Sequence, residues 1–139
     1  MKPELTIAIP TWQNFNMLVD CVQTIVEYTE YPYKIVVVNN GPAFDLDGIP
    51  FERTLRERVP FGGLKIIQAE KNLGWQGGIN RAFVEECDTP YFCMANDDLV
   101  FMPYNLRFWN DLTSLFRYED VGAVGPSSNY VMGSQSLFD

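Results

Sequence analysis

Two adjacent carboxylates, Asp97 and Asp98, follow the short apolar segment Tyr91–Ala95, and apolar residues resume at Leu99. A buried strand that ends in paired acids presents oxygen ligands at its carboxyl end, which is where open α/β sheets bind their ligands. Carboxylate oxygens suit Mg²⁺ or Mn²⁺, and such ions usually bridge to the phosphates of a bound molecule. Either acid also fits the N-cap of a following helix or a simple turn, so this segment alone leaves the metal-site and the structural interpretations open.

The elements that would position these acids follow from hydrophobic periodicity and turn residues. Apolar runs predict buried strands at Leu5–Ile9, Lys34–Asn39, Leu64–Gln68, the segment from Thr89 to the acids, and Val121–Gly125. Helical spacing predicts helices from about Phe15 to Tyr28 with Asn14 as cap, over Phe51–Arg58, from Gly77 to near Cys87, and over Leu106–Phe116. The alternation predicts a three-layer α/β/α fold with a mainly parallel sheet.

The composition predicts one soluble domain spanning residues 1–139, with 47% hydrophobic and 20% charged residues. The net charge of −8 argues against general nucleic-acid binding, so no nucleic acid is expected as a partner. Because the sequence has no histidine, it cannot form a Ser-His or Cys-His catalytic pair or a His-containing zinc site.

The cysteines and the side chains outside the motifs are predicted to be structural. Cys21, Cys87 and Cys93 lack CxxC spacing and lie among apolar neighbours, which predicts reduced, buried thiols. With no signal sequence or membrane-length apolar run, the protein is expected to be cytoplasmic, reaching a membrane face only through partners. Trp12 and Trp109 are predicted to lie in the core. Solvated charges are predicted at Lys34, Lys65, Arg53, Arg56 and Arg58.

Four polar loops each follow a predicted strand. They are Pro10–Asn14, Asn39–Pro42, Asn72–Gly78 and Asn96–Asp98. Because parallel strands end at the same edge of a sheet, the loops are expected to converge there, at the usual place for a phosphate or nucleotide site. This convergence is more specific than any single loop.

The glycine pair Gly77-Gly78 stands at the predicted start of the third helix. Glycines there allow close backbone approach and offer N–H groups to an anion. The segment lacks both the GxGxxG order of a dinucleotide fold and the GK[ST] of a P-loop. A glycine-rich left-handed turn without a ligand explains the pair equally simply, so both interpretations stay open.

The ordered motifs resemble those of family-2 glycosyltransferases with the GT-A fold, across essentially the whole chain. The similar segments are Thr6–Asn14, Val36–Gly41, Asn72–Arg81, Ala95–Asp98, Val121–Pro126 and Ser128–Tyr130. The Asn-Leu-Gly-Trp-x-Gly-Gly form at Asn72–Gly78 is most similar to the branch that builds rhamnose-containing polysaccharides, a rhamnosyltransferase-type branch.

The resemblance implies a role for each matching residue. Asp98 would bind Mg²⁺ or Mn²⁺, and Asp97 would contact the ribose or support the metal, which neutralises the diphosphate leaving group. The nucleoside of a UDP- or dTDP-sugar would contact Pro10, Thr11 and Asn39, with Asn14 nearby. The rest of the path along base, ribose and phosphate would be lined by Asn72, Gly77, Gly78 and Arg81.

Two departures from the family pattern qualify what the resemblance implies. The family usually has Asp where this chain has Asn39, and an amide loses the charge-assisted bond to the base, which leaves the nucleotide open. Inverting members take a carboxylate general base from an acceptor-binding half after the fifth strand. The GT-A domain is therefore expected to be truncated, and its catalytic general base is not visible.

The two hypotheses are an inverting transferase that acts on a glycan or lipid-linked acceptor, and a non-catalytic donor-binding or assembly module. A homodimer is expected, since a missing half would leave an open sheet edge.

Overall fold

A parallel four-stranded sheet in the order β3-β2-β1-β4 organises the fold in the computed structural model, which describes residues 2–127. The strands are β1 (Leu5–Thr11), β2 (Tyr33–Asn39), β3 (Leu64–Gln68) and β4 (Tyr91–Met94). The α-helices are α1 (Phe15–Glu27), α2 (Phe51–Arg58), α3 (Gly74–Glu86) and α4 (Phe108–Ser114), and short 3₁₀ turns lie at Pro103–Asn105 and Leu115–Arg117. The predicted order of strands and helices up to residue 117 is therefore confirmed.

The register aligns the carboxyl ends of three strands. Thr11 of β1 pairs with Asn39 of β2, which pairs in turn with Gln68 of β3. β4 stops earlier, where Met94 pairs with Ala8. Since parallel chains advance together, the residue three positions beyond Met94, which is Asp97, arrives level with Thr11.

Helices cover both faces of the sheet, as the continuous apolar strands predict. One face buries Ile7, Ile9, Ile35 and Val37 against α1, Leu55 of α2 and Trp109 of α4. The other face buries Ala8, Val36 and Val38 against Ile79 and Ala82 of α3. Each fully buried aliphatic side chain contributes about 1.5–3 kcal/mol through removal from water, so the two layers hold the strand ends in fixed register.

Helix α1 begins and ends within one residue of its predicted limits, because Leu18, Val22 and Ile25 recur on one buried face. Asn14 occupies the predicted N-cap position, but its side chain makes no capping hydrogen bond. Its amide donates instead to Asp97.

Several predicted boundaries are wrong. Helix α3 begins at Gly74 rather than Gly77, because Gly74 adopts a φ of 67° that allows the chain to enter the helix there. The predicted helix over Leu106–Phe116 is α4 with 3₁₀ turns before and after it. The predicted strand Val121–Gly125 has no strand structure in the described residues; its two glycines weaken strand formation.

Two side chains contradict their predicted environments. Trp12 is 56% exposed because it lies on the loop after β1, whereas Trp109 is buried as predicted. Lys34 is not a solvated charge. Its ammonium is nearly buried and lies 2.6 Å from Asp88 Oδ1 and 3.9 Å from Glu86 Oε2. The arginines of α2 are exposed as predicted, and none of the helices in residues 2–127 has the length and apolarity to cross a membrane.

Candidate functional site

The carboxyl edge of the sheet brings the first and fourth polar loops together at Asp97. Thr11 Oγ1 donates a 2.6 Å hydrogen bond to Asp97 Oδ2, and Asn14 Nδ2 donates a 3.1 Å bond to Asp97 Oδ1. Both carboxylate oxygens therefore have a side-chain donor. Hydrogen bonds to a carboxylate are about twice as strong as neutral ones, so this group, here called the Asp97 clasp, fixes the loops relative to each other.

The turn that carries the acids is bonded to Cys21 of α1. The thiol donates to the backbone carbonyl of Asn96 at 3.6 Å. Burial raises the pKa of Cys21 to about 12, and the negative charges of Asp97 and Asp98 add to that rise. The thiol therefore stays protonated and able to donate. Burial also raises the pKa of its neighbour Cys93 to about 12, so neither thiol is a nucleophile here.

Asp98 differs from Asp97 because it is exposed. Within residues 2–127 its carboxylate forms no side-chain hydrogen bond or ion pair, and no helix begins at the turn, so the helix-cap interpretation of these acids is wrong. The same part of the chain has no group of three or more acidic, cysteine or histidine residues able to hold a metal alone. One available carboxylate fits Mg²⁺ or Mn²⁺, which bind through one or two carboxylates together with substrate phosphates.

The second polar loop is held by two amide side chains, of which Asn39 is buried and Gln68 is exposed. Asn39 is only 1% exposed, and its Nδ2 donates to the carbonyl of Pro42 and to Gln68 Oε1, each at 2.8 Å. Asn39 Oδ1 accepts the N–H of Gly41 at 3.0 Å. The side chain predicted to contact a base thus has three partners inside the protein.

The third polar loop is joined to the others through Asn40 and Gly78. Asn40 Oδ1 accepts the N–H of Leu73 at 3.3 Å, and its Nδ2 donates to the carbonyl of Gly74 at 3.2 Å. A Cβ on Gly78 would lie 2.8 Å from Pro10 Cβ. The glycine therefore permits α3 to pack directly on β1, so the close approach expected of the pair is made to a strand of the protein itself.

The predicted site residues divide into two groups in the structure. One group lies at the carboxyl edge: Pro10, Thr11, Asn14, Asn39, Asn72 and Asp97 with Asp98. Asn72 Oδ1 accepts the Gly74 N–H at 2.8 Å at the start of α3. Gly77 lies on α3, where an added Cβ would be 2.9 Å from Leu73 Cβ. Arg81 lies about 10 Å along the axis from the start of α3 and pairs with Glu85 at 2.8 Å, so no described contact joins it to the edge residues.

Sequence reasoning missed three residues at this edge. Gln68 and Asn40 form hydrogen bonds to neighbouring loops. The sequence feature that could have identified them is an amide side chain at, or directly after, the end of an apolar strand. Trp12 was assigned to the core, although its position between Pro10 and Asn14 placed it in a loop. Its neighbour Gln13 has a φ of 54°, a left-handed conformation uncommon for a residue with a side chain.

The fold matches that of GT-A glycosyltransferases. The model of the family "Glycosyl transferase family 2" matches residues 6–108, and the chain therefore belongs to that family. A search of curated proteins gives no match. The rhamnosyltransferase-type branch stays a prediction.

Solved structures of similar fold include two larger proteins. A mannosyltransferase from Pyrobaculum calidifontis, PcManGT in complex with GDP-Man and Mn²⁺, aligns with a TM-score of 0.62 at 18% identity, covering 92% of this chain and 36% of that one. TarS 1-349 from S. aureus in complex with UDP aligns with a TM-score of 0.59 at 15% identity, covering 86% and 33%. The chain spans about a third of the length of these proteins.

Proposed function

We propose that this chain binds a nucleoside-diphosphate sugar along its carboxyl edge and provides the donor side of a glycosyl transfer. The observation that carries the proposal is the Asp97 clasp, which ties both oxygens of one acid to Thr11 and Asn14 and leaves Asp98 exposed. Membership of the glycosyl transferase family supports the reaction class. GDP-Man and UDP in the similar structures support a nucleotide ligand.

The chain's own residues have separate tasks in this proposal. The clasp holds the turn so that Asp98 faces solvent at the edge, where it binds a divalent ion together with the donor's diphosphate. A bound Mg²⁺ or Mn²⁺ supplies Lewis-acid neutralisation of the leaving diphosphate. Asp98 serves as a metal ligand in this proposal, so the transfer, which we propose to be inverting, takes its general base from elsewhere.

The nucleoside is proposed to lie between the first and second loops. These loops are close, since a Cβ added to Gly41 would be 3.4 Å from the backbone N of Gln13. The exposed indole of Trp12 offers an aromatic face beside them. A UDP- or dTDP-sugar is the proposed donor, and a glycan or lipid-linked molecule the proposed acceptor.

Calorimetric titration of UDP, dTDP and GDP, with and without Mn²⁺, tests the proposal. We expect Mn²⁺ to strengthen binding of at least one nucleotide about tenfold or more, and Asp98→Asn to remove that gain. Asp20→Asn is the matched control, because Asp20 is an exposed carboxylate on α1, and it should keep the gain. Absence of nucleotide binding, or a Mn²⁺ effect that survives in Asp98→Asn, contradicts the metal-site assignment.

Donor turnover then separates the two hypotheses for the chain. Release of nucleoside diphosphate from the bound donor, alone or with an acceptor, is the result expected of a transferase. Tight binding with no release over many hours would favour a non-catalytic binding or assembly module.

The chain is proposed to form a homodimer. Phe83 and Met94 are exposed apolar side chains at β4, the edge strand of the described sheet, where the Phe83 ring contacts Phe92 and Met94 is the last strand residue. Covering them removes apolar surface from water. Light scattering should give twice the chain mass at high concentration, and a monomer there refutes the dimer.

A further inference from the structure

We infer that Asn39 and Gln68 form a positioning pair that holds the second loop in place, and that the Asn39 side chain does not itself select the nucleobase. The inference rests on the proposed function, because it concerns the nucleoside part of the same site. It departs from the role that the sequence implied for Asn39, which was contact with the base.

The orientation of both amides is fixed by backbone groups that can act in only one way. The Pro42 carbonyl can only accept, so it faces Asn39 Nδ2, and the Gly41 N–H can only donate, so it faces Asn39 Oδ1. Gln68 Nε2 donates to the carbonyls of Gly41 at 2.9 Å and Ala69 at 3.0 Å. Its Oε1 is therefore left to accept from Asn39 Nδ2 at 2.8 Å.

This arrangement leaves Asn39 little capacity for a ligand. Both hydrogens of its amide are used, one lone pair of Oδ1 is used, and the residue is 1% exposed. The second lone pair of Oδ1 is unused, but because the residue is 1% exposed, a ring N–H of the base reaches it only if the turn through Gly41 and Pro42 moves. What Asn39 controls is the turn through Gly41 and Pro42.

The turn matters because it packs on the first loop. A Cβ on Gly41 would lie 3.3 Å from Asn39 Oδ1 and 3.4 Å from the backbone N of Gln13. Displacing the turn therefore changes the wall next to the proposed nucleoside position. Such a change should weaken the binding of every nucleotide by the same factor. Loss of a group that recognises the base should instead change the relative affinities for different bases.

The test combines Asn39→Asp, Gln68→Ala and the double variant with titration of UDP and GDP. In Asn39→Asp, an oxygen faces the Pro42 carbonyl and Gln68 Oε1, so two donor bonds are lost and acceptors face acceptors. Because position 39 is 1% exposed, the new carboxylate is buried against these acceptors, and we expect a fall in Tm of about 7–12 °C. Gln68→Ala should lower Tm less. The Tm of the double variant should lie well above the value that the two summed losses predict, because the residues share one bond.

Nucleotide affinity, measured well below each Tm, separates positioning from a purely structural role. We expect about a tenfold loss for UDP and for GDP alike in Asn39→Asp, with the ratio of the two affinities unchanged. Lys34→Met is the control for loss of stability alone. Lys34 lies at the opposite end of β2 and pairs with Asp88, so this variant should lose Tm but keep nucleotide affinity.

Three results would overturn the inference. They are an unchanged Tm in Asn39→Asp with a shifted UDP-to-GDP ratio, additive losses in the double variant, and equal loss of affinity in Lys34→Met. If Asn39→Asp does not fold, Gln68→Ala carries the same affinity comparison. A wild-type chain that binds no nucleotide refutes the proposed function and the positioning role together, and the Tm cycle still decides whether the pair exists.

Discussion

Replacing Thr11 with valine should weaken the junction between the first and fourth loops without changing the shape of the strand. Thr11 is 3% exposed, and its hydroxyl lies 2.6 Å from Asp97 Oδ2. A hydrogen bond to a charged group contributes about 1.5–3 kcal/mol. Because Asp97 is only half-buried, water can replace part of the lost bond, and we expect a loss of about 1–2 kcal/mol, or roughly 3–7 °C in Tm.

Urea denaturation of Thr11→Val, Asp97→Ala and the double variant measures this interaction. The double variant should be more stable than the summed losses predict by about 1–2 kcal/mol, since either single change already removes the bond. Thr6→Val is a matched control on the same strand. Its hydroxyl pairs with that of Thr89 at 2.7 Å at the other end of β1, so its effect should add to that of Asp97→Ala. Additive losses for Thr11 and Asp97 would refute the clasp.

Other changes give equally direct tests. Gly78→Ala should cost about 1–3 kcal/mol by overpacking, because its Cβ would lie 2.8 Å from β1 atoms; an unchanged urea midpoint would contradict this. Lys34 holds the pKa of Asp88 below its usual value through a hydrogen bond and its charge. This contribution is present above the unfolded pKa and is lost as pH falls through the folded one, so the stability gap between wild type and Lys34→Met should narrow below about pH 4. Cys21, with its pKa of about 12 and full burial, should resist a thiol reagent at pH 8 until the chain unfolds; rapid native labelling would count against its support of the acidic turn.

The sheet was predictable because its signal is local and strong. Strands such as Lys34–Asn39 are continuous apolar runs, and β-branched residues allow few alternatives. Helix α1 was predictable for a similar reason, since its buried face repeats at helical spacing. The convergence of polar loops at one edge followed from the parallel order alone.

The contacts made by polar side chains were not predictable from local sequence. Asn14 looks like a cap, but the register of β4 brings Asp97 within reach of its amide, and a carboxylate is the stronger acceptor. Lys34 was predicted to be a solvated charge, yet it forms an ion pair with Asp88, which follows α3 in the chain. Gln68 bonds to a loop almost thirty residues earlier. Each case depends on which segments tertiary structure places side by side.

The clasp has a consequence for the order of folding. Thr11 and Asp97 are separated by 86 positions, so their bond closes about two thirds of the described chain and requires β4 to lie beside β1. Closing so long a loop is among the most costly steps in chain entropy. A partly folded chain that has β1 to β3 but not β4 therefore lacks the proposed site. Nucleotide binding would then report completion of the sheet and, by mass action, would stabilise only that final state.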